Sequence, residues 1–112
     1  MTDEEVVSKL IVPAGTARSS AIQAVAAARE GRFAEADALI AAGDAAINEA
    51  HEHQSDEIRE LLNGKAPEPV TLIMVHGQDH VMNAIATLDL ARQIVGLIQD
   101  RSGGERPSEY RN

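Results

Sequence analysis

An all-α fold, a three-helix antiparallel bundle, follows from three features of the sequence. Apolar residues recur at helical three- and four-residue spacing along three long stretches. Breaks containing glycine or proline separate those stretches, at Gly31 and from Asn63-Gly64 to Pro69. The chain is rich in alanine and aliphatic residues, with Phe33 and Tyr110 as its only aromatic residues and no Trp, a composition poor for an all-β core. A length of 112 residues fits one domain. We expect a helical domain over 1–101 and a disordered tail over 102–112, where Ser102-Gly103-Gly104-Glu105-Arg106-Pro107 opens a polar run.

The first helical stretch spans 1–31. Thr2 or Asp3 can cap it, and Asp3, Glu4 and Glu5 suit the positive end of the helix dipole. Val7, Leu10, Ile11, Ala14, Ala21, Ile22, Val25 and Ala28 form its apolar stripe. Pro13 cannot donate to the Lys9 carbonyl, so a kink or short break is expected there. Gly31 ends the helix. The second stretch starts at Arg32 or Phe33 and runs to about Leu62, with Phe33, Ala36, Leu39, Ile40, Ile47, Ala50, Ile58, Leu61 and Leu62 on the apolar side. Gly43 in its middle costs about 1 kcal/mol relative to alanine and suggests close helix packing. The third stretch runs from about Pro69, placed as a first-turn proline, to Gln99 or Arg101.

The third stretch organises the rest. Leu72-Ile73-Met74-Val75-His76-Gly77-Gln78-Asp79-His80-Val81-Met82 sets two histidines, an amide and a carboxylate inside an apolar run. His76 and His80 are one turn apart, and Asn83 and Thr87 extend their face. Met74, Val81, Ile85, Leu88 and Val95 form a stripe for the chain's own core. A second apolar stripe, Leu72, Val75, Asp79, Met82, Ala86, Leu90, Gln93 and Leu97, is a coiled-coil-like seam with Asp79 as its charged member. That apolar surface exceeds what two neighbours in one chain can cover. Self-association through the seam is expected, and an odd-numbered assembly about it would gather the Asp79 carboxylates, which then need a cation or shared protons.

A net charge of −8 argues against a phosphate-backbone binder. The absence of cysteine excludes a disulfide, a thiolate metal site and thiol chemistry on this chain. No apolar run reaches the ~18 residues of a membrane span, and the acidic N-terminus does not read as a signal peptide, so a cytoplasmic location is expected. From spacing alone, phosphohistidine, metal-binding and structural roles for His76 and His80 stay open. A helical metal site of His76, Asp79 and His80 is one alternative, and a non-catalytic interaction module with structural histidines is another. His51 and His53 do not share a helix face and read as structural, although His51 or Gln54 can reach the site from the second helix.

Val75-His76-Gly77-Gln78-Asp79-His80 closely resembles the motif of the lactose/cellobiose (diacetylchitobiose) enzyme IIA family of the bacterial phosphotransferase system. Ala17-Arg18-Ser19 after Gly15, Ala27-Ala28-Arg29-Glu30-Gly31-Arg32-Phe33 and Ala50-His51-Glu52-His53-Gln54 resemble further family segments in the same order, over about residues 5–100. The resemblance implies a homotrimer in which His76 takes a phosphoryl group from the phosphocarrier protein HPr and passes it to a cysteine of enzyme IIB. Membrane contact would be indirect, through enzyme IIC, and nucleic acid is not an expected partner. It also implies that Asp79 binds a divalent metal ion, with magnesium the expected one, on the trimer axis, and makes Gln78 and His80 candidates to position the phosphohistidine. Two positions depart from the expected pattern: Gly77, where alanine is expected, and Pro13. The transported sugar is not encoded in this chain's motifs.

Overall fold

The computed structural model of the chain describes residues 1–103. Three helical rods run up, down and up, giving a body of 54 × 24 × 16 Å. The first rod comprises α1 (Asp3–Val6), a π-helical turn (Val7–Ile11) and α2 (Val12–Arg29). The second is α3 (Phe33–Leu62) and the third α4 (Leu72–Arg101). Of the tail expected over 102–112, residues 104–112 lie outside the described residues. Ser102 and Gly103 close α4 as a turn, with the Ser102 hydroxyl donating to the Gln99 carbonyl at 2.8 Å.

The first rod opens with a reciprocal cap. The Thr2 hydroxyl accepts from the Glu5 backbone N–H at 3.1 Å, and the Glu5 carboxylate accepts from the Thr2 N–H at 3.2 Å. Hydrogen bonding from that Thr2 N–H, and next from Lys9, lowers the Glu5 carboxyl from 4.5 to about 2. A depressed folded-state value stabilises above the unfolded value and is lost as pH falls through the folded one. The first turn is therefore expected to weaken between about pH 4.5 and 2. The protection of the Glu5 and Val6 amides from hydrogen exchange, taken relative to the intrinsic rate at each pH, should fall across that window, and Glu5→Gln should remove the dependence.

The α-helix is interrupted just before Pro13 by the π-helical turn Val7–Ile11, and the rod stays helical through it. That wide turn absorbs the missing donor: the Val12 N–H bonds the Val7 carbonyl, five residues back, and the backbone stays helical through Ile11 and Val12. The same turn shifts the apolar register. Val6 and Leu10 enter the core, while Val7 and Ile22 of the expected stripe are exposed. Gly31 and Gly64 terminate α2 and α3 with positive φ, and the N–H of the following residue reaches back to the Ala27 and Glu60 carbonyls.

Pro69 lies outside α4. Thr71 caps that helix instead, its hydroxyl accepting from the Met74 N–H at 3.1 Å. Leu10, Ile40, Leu88, Val6, Val81 and Val95 are the largest fully buried side chains. Alanines fill the closest approach, with Ala14, Ala17, Ala21 and Ala24 of α2 all buried. Val81, Leu88 and Val95 form the expected inward stripe of α4, flanked by half-buried Met74 and Ile85. On α3, Ala36, Ile40, Ile47 and Ala50 are buried, but Ile58, Leu61 and Leu62 are exposed.

Gly43 carries a packing constraint. A Cβ there would stand 2.8 Å from Leu88 Cδ1 and 3.4 Å from the Ala17 carbonyl oxygen. Gly43→Ala gains helix propensity but must displace a buried leucine. We expect a net loss of about 1 kcal/mol, read from chemical denaturation.

Candidate functional site

Gly77 explains how the site is held. It is buried, and a Cβ on it would stand 2.7 Å from Val6 Cγ1. Its missing side chain lets α4 lie against the start of the first rod, between His76 and Gln78. A glycine within a helix costs about 1 kcal/mol relative to alanine, and here it permits a close approach. With Gly77 facing inward, helical geometry puts His76 on an exposed flank of α4.

On that flank the two imidazoles meet. His80 Nε2 lies 3.0 Å from His76 Nε2, and the rings stand edge to face at 87° with centroids 4.4 Å apart. A contact of this length between two ring nitrogens requires one hydrogen, on one nitrogen, with a lone pair on the other. His80 continues into a groove of about 320 Å³ lined by Arg18, Asp79, His80, Asn83 and Thr87. The polar stripe expected from spacing is thus present, and Arg18 of α2 closes it from the other side.

Gln78 lies elsewhere. Its side-chain oxygen accepts from Gln54 Nε2 of α3, and its own Nε2 contacts Met74 Sδ at 3.5 Å. Within one chain it bridges α4 to α3, on the side of the helix away from His76. Gln54 is only 7% exposed and is held by this bond, so it does not reach His76 from α3. His51 lines a separate groove with Asp44, Ile47 and Asp89. Asp89 and Asp44 both pair with Arg92, at 3.5 and 2.5 Å.

Asp79 is exposed on the seam. Its apolar seam neighbours are uncovered too: Leu72 is 85% exposed, Leu90 63% and Leu97 54%. Against the expectation that no stretch reaches the length of a membrane span, an 18-residue window of α4 has a mean hydropathy of 1.4 with no more than two charged residues, long and apolar enough to cross a membrane. Only 33% of that window is buried, because the core stripe and the seam lie on opposite sides of the helix. The described residues contain no group of three or more side chains placed to hold a metal ion. A single chain therefore offers one seam carboxylate rather than a closed donor set.

The family model of the phosphotransferase system lactose/cellobiose-specific IIA subunit matches residues 5–99. The chain belongs to this IIA family. Among its IIA relatives, the lichenan-specific phosphotransferase enzyme IIA component of Bacillus subtilis is 36% identical over 96 residues, covering 86% of each chain. The galactose-specific component of Lactococcus lactis is 41% identical over 93 residues, covering 81% of this chain and 78% of that protein. The crystal structure of the cellobiose-specific enzyme IIA from Bacillus anthracis superposes with a TM-score of 0.83 at 35% identity, over 94% of this chain and 95% of that one. The chitobiose IIA of Escherichia coli, solved in complex with HPr, superposes with a TM-score of 0.73 at 34% identity, over 91% of this chain and 98% of that one. As a IIA component of the sugar phosphotransferase system, the chain has a phosphotransfer role.

Proposed function

We propose that His76 is the phosphoryl carrier, accepting the group from phospho-HPr and giving it to the cysteine of a cognate enzyme IIB in the cytoplasm. The exposed Nε2–Nε2 pair of His76 and His80 is the observation that carries this reading. A nucleophilic imidazole must be neutral with its lone pair on the attacking nitrogen. The competent tautomer has hydrogen on Nδ1 of His76 and on Nε2 of His80, whose N–H then points at the His76 lone pair. As phosphorus approaches, that N–H yields the lone pair and turns to a phosphoryl oxygen. The new bond forms from His76 Nε2 to phosphorus. The donor's P–N bond breaks, and its electron pair returns to the donor imidazole. Such a transfer depends on positioning and charge stabilisation more than on acid–base chemistry. An exposed helix flank suits it, since two different proteins must reach the same nitrogen in turn.

The uncovered seam supports a homotrimer about α4. Three Asp79 carboxylates would then share a divalent cation, with magnesium fitting hard oxygen donors. The cation would neutralise converging charge and so hold the assembly together. In the trimer Gln78, which faces α3 within one chain, keeps a positioning role by fixing α4 against Gln54.

The test is incubation with enzyme I, HPr and phosphoenolpyruvate followed by intact mass measurement. One phosphoryl group per chain, labile to acid and stable to alkali, is expected. No addition, with the same partners active on another acceptor, would overturn the assignment.

A further inference from the structure

Arg18 is the cation that lines the groove ending on His80. Lys9, Arg32, Arg59, Lys65 and Arg92 each pair with a carboxylate. Arg18, like Arg29 and Arg101, has no hydrogen bond or ion pair among the described residues, in a chain whose net charge is −8. It does not simply project into solvent from the outer side of α2. Together with Asn83 and Thr87 of α4 it lines the groove that ends on His80. Ile22, one turn further along α2, lines the next groove with Leu90 and Ile94, and Thr87 borders both. Arg18 therefore belongs to the flank of the bundle that carries the histidine pair.

The charge balance of that flank changes when phosphate arrives. A phosphoryl group brings about two negative charges at neutral pH. Asp79, on the same groove, already carries one. Asn83 and Thr87 offer dipoles without net charge. A guanidinium offers a permanent charge and a planar fork of donors matched to phosphoryl oxygens. Its long stem also lets it remain uncommitted until the anion is present.

We infer that Arg18 binds the phosphoryl oxygens of phospho-His76, with Asn83 and Thr87 completing the anion site across the groove. This rests on His76 being the carrier. The bond changes are those of the transfer itself; Arg18 gives and takes no proton and holds the group by hydrogen bonds and charge.

The test compares the full chain with Arg18→Gln and Arg18→Lys. Each is phosphorylated with enzyme I, HPr and phosphoenolpyruvate. Three quantities are read: the rate of acceptance, the phosphorus chemical shift of the purified phosphoprotein, and its rate of spontaneous dephosphorylation. Arg18→Gln is expected to slow acceptance by about 10²-fold, the size of effect seen when one anion-stabilising donor is lost. It should also move the phosphorus resonance and change the lifetime, with the helical circular dichroism unchanged. Arg18→Lys should recover part of the rate because the charge remains. The shift and lifetime are measured without HPr, so they separate a contact to the phosphoryl group from a contact to the partner. An Arg18→Gln phosphoprotein with the native shift and lifetime would overturn the inference even if acceptance slowed. A native chain that accepts no phosphoryl group at all would overturn the inference together with the carrier role it rests on.

Discussion

The His76→Ala variant is expected to accept no phosphoryl group while keeping its stability within about 0.5 kcal/mol of the native chain, the usual range for an exposed substitution. His76 is exposed, so its removal leaves no cavity, and alanine favours the helix. What is lost is the nitrogen lone pair at the open end of the histidine pair. His80 survives the change but is more buried than His76 and sits deeper, towards the groove with Arg18. It is therefore not expected to substitute as acceptor. Phosphorylation followed by intact mass, alongside a denaturation curve, checks both halves of the expectation. A variant that still takes phosphate would move the acceptor to another residue. A variant that unfolds would make His76 a structural residue.

Asp79→Leu is expected to act in the opposite way, on assembly rather than chemistry. In one chain the seam is an uncovered apolar strip interrupted by this carboxylate. When copies pack along it, their carboxylates converge, and burying like charges is costly unless a cation offsets them. Leucine continues the strip. By analogy with buried ionic groups replaced by apolar ones, we expect stabilisation of about 1–4 kcal/mol. The native assembly should weaken in a chelator, and the variant should not. Sedimentation and thermal melting with and without chelator measure this. Equal chelator sensitivity in both proteins, or none in either, would remove the axial cation. Asp79 borders the groove beside His80 but is not the acceptor, so phosphoryl acceptance should persist in the variant.

Much of this was legible in the sequence because it depends on local rules. The inward stripe Val81, Leu88 and Val95, the uncovered seam on the opposite side, and the glycine stops at 31 and 64 all follow from helical periodicity and backbone conformation. The pairing of His76 with His80 follows from their spacing. What was not legible depends on contacts between distant parts of the chain. Pro13 suggests a break, but the π-helical turn that absorbs it also moves Val6 rather than Val7 into the core. Gly77 looks like a loss of helix propensity until Val6 is seen against it. Gln78 sits in the motif beside His76, yet its amide is engaged by Gln54, twenty-four residues earlier. Arg18 sits in a recognisable segment, but only the packing of α2 on α4 puts it on the histidine flank. The start of α4, expected near Pro69, is set instead by the Thr71 side-chain cap.

The most direct test of the central claim is nitrogen-15 and phosphorus NMR of the phosphorylated protein, with histidine ring nitrogens assigned by the His76→Ala and His80→Ala variants. Phosphorus coupled to Nε2 of His76, with His80 still carrying its own N–H, is the expected result. Phosphorus on His80, or on Nδ1 of His76, would contradict the tautomer and the geometry proposed for the transfer.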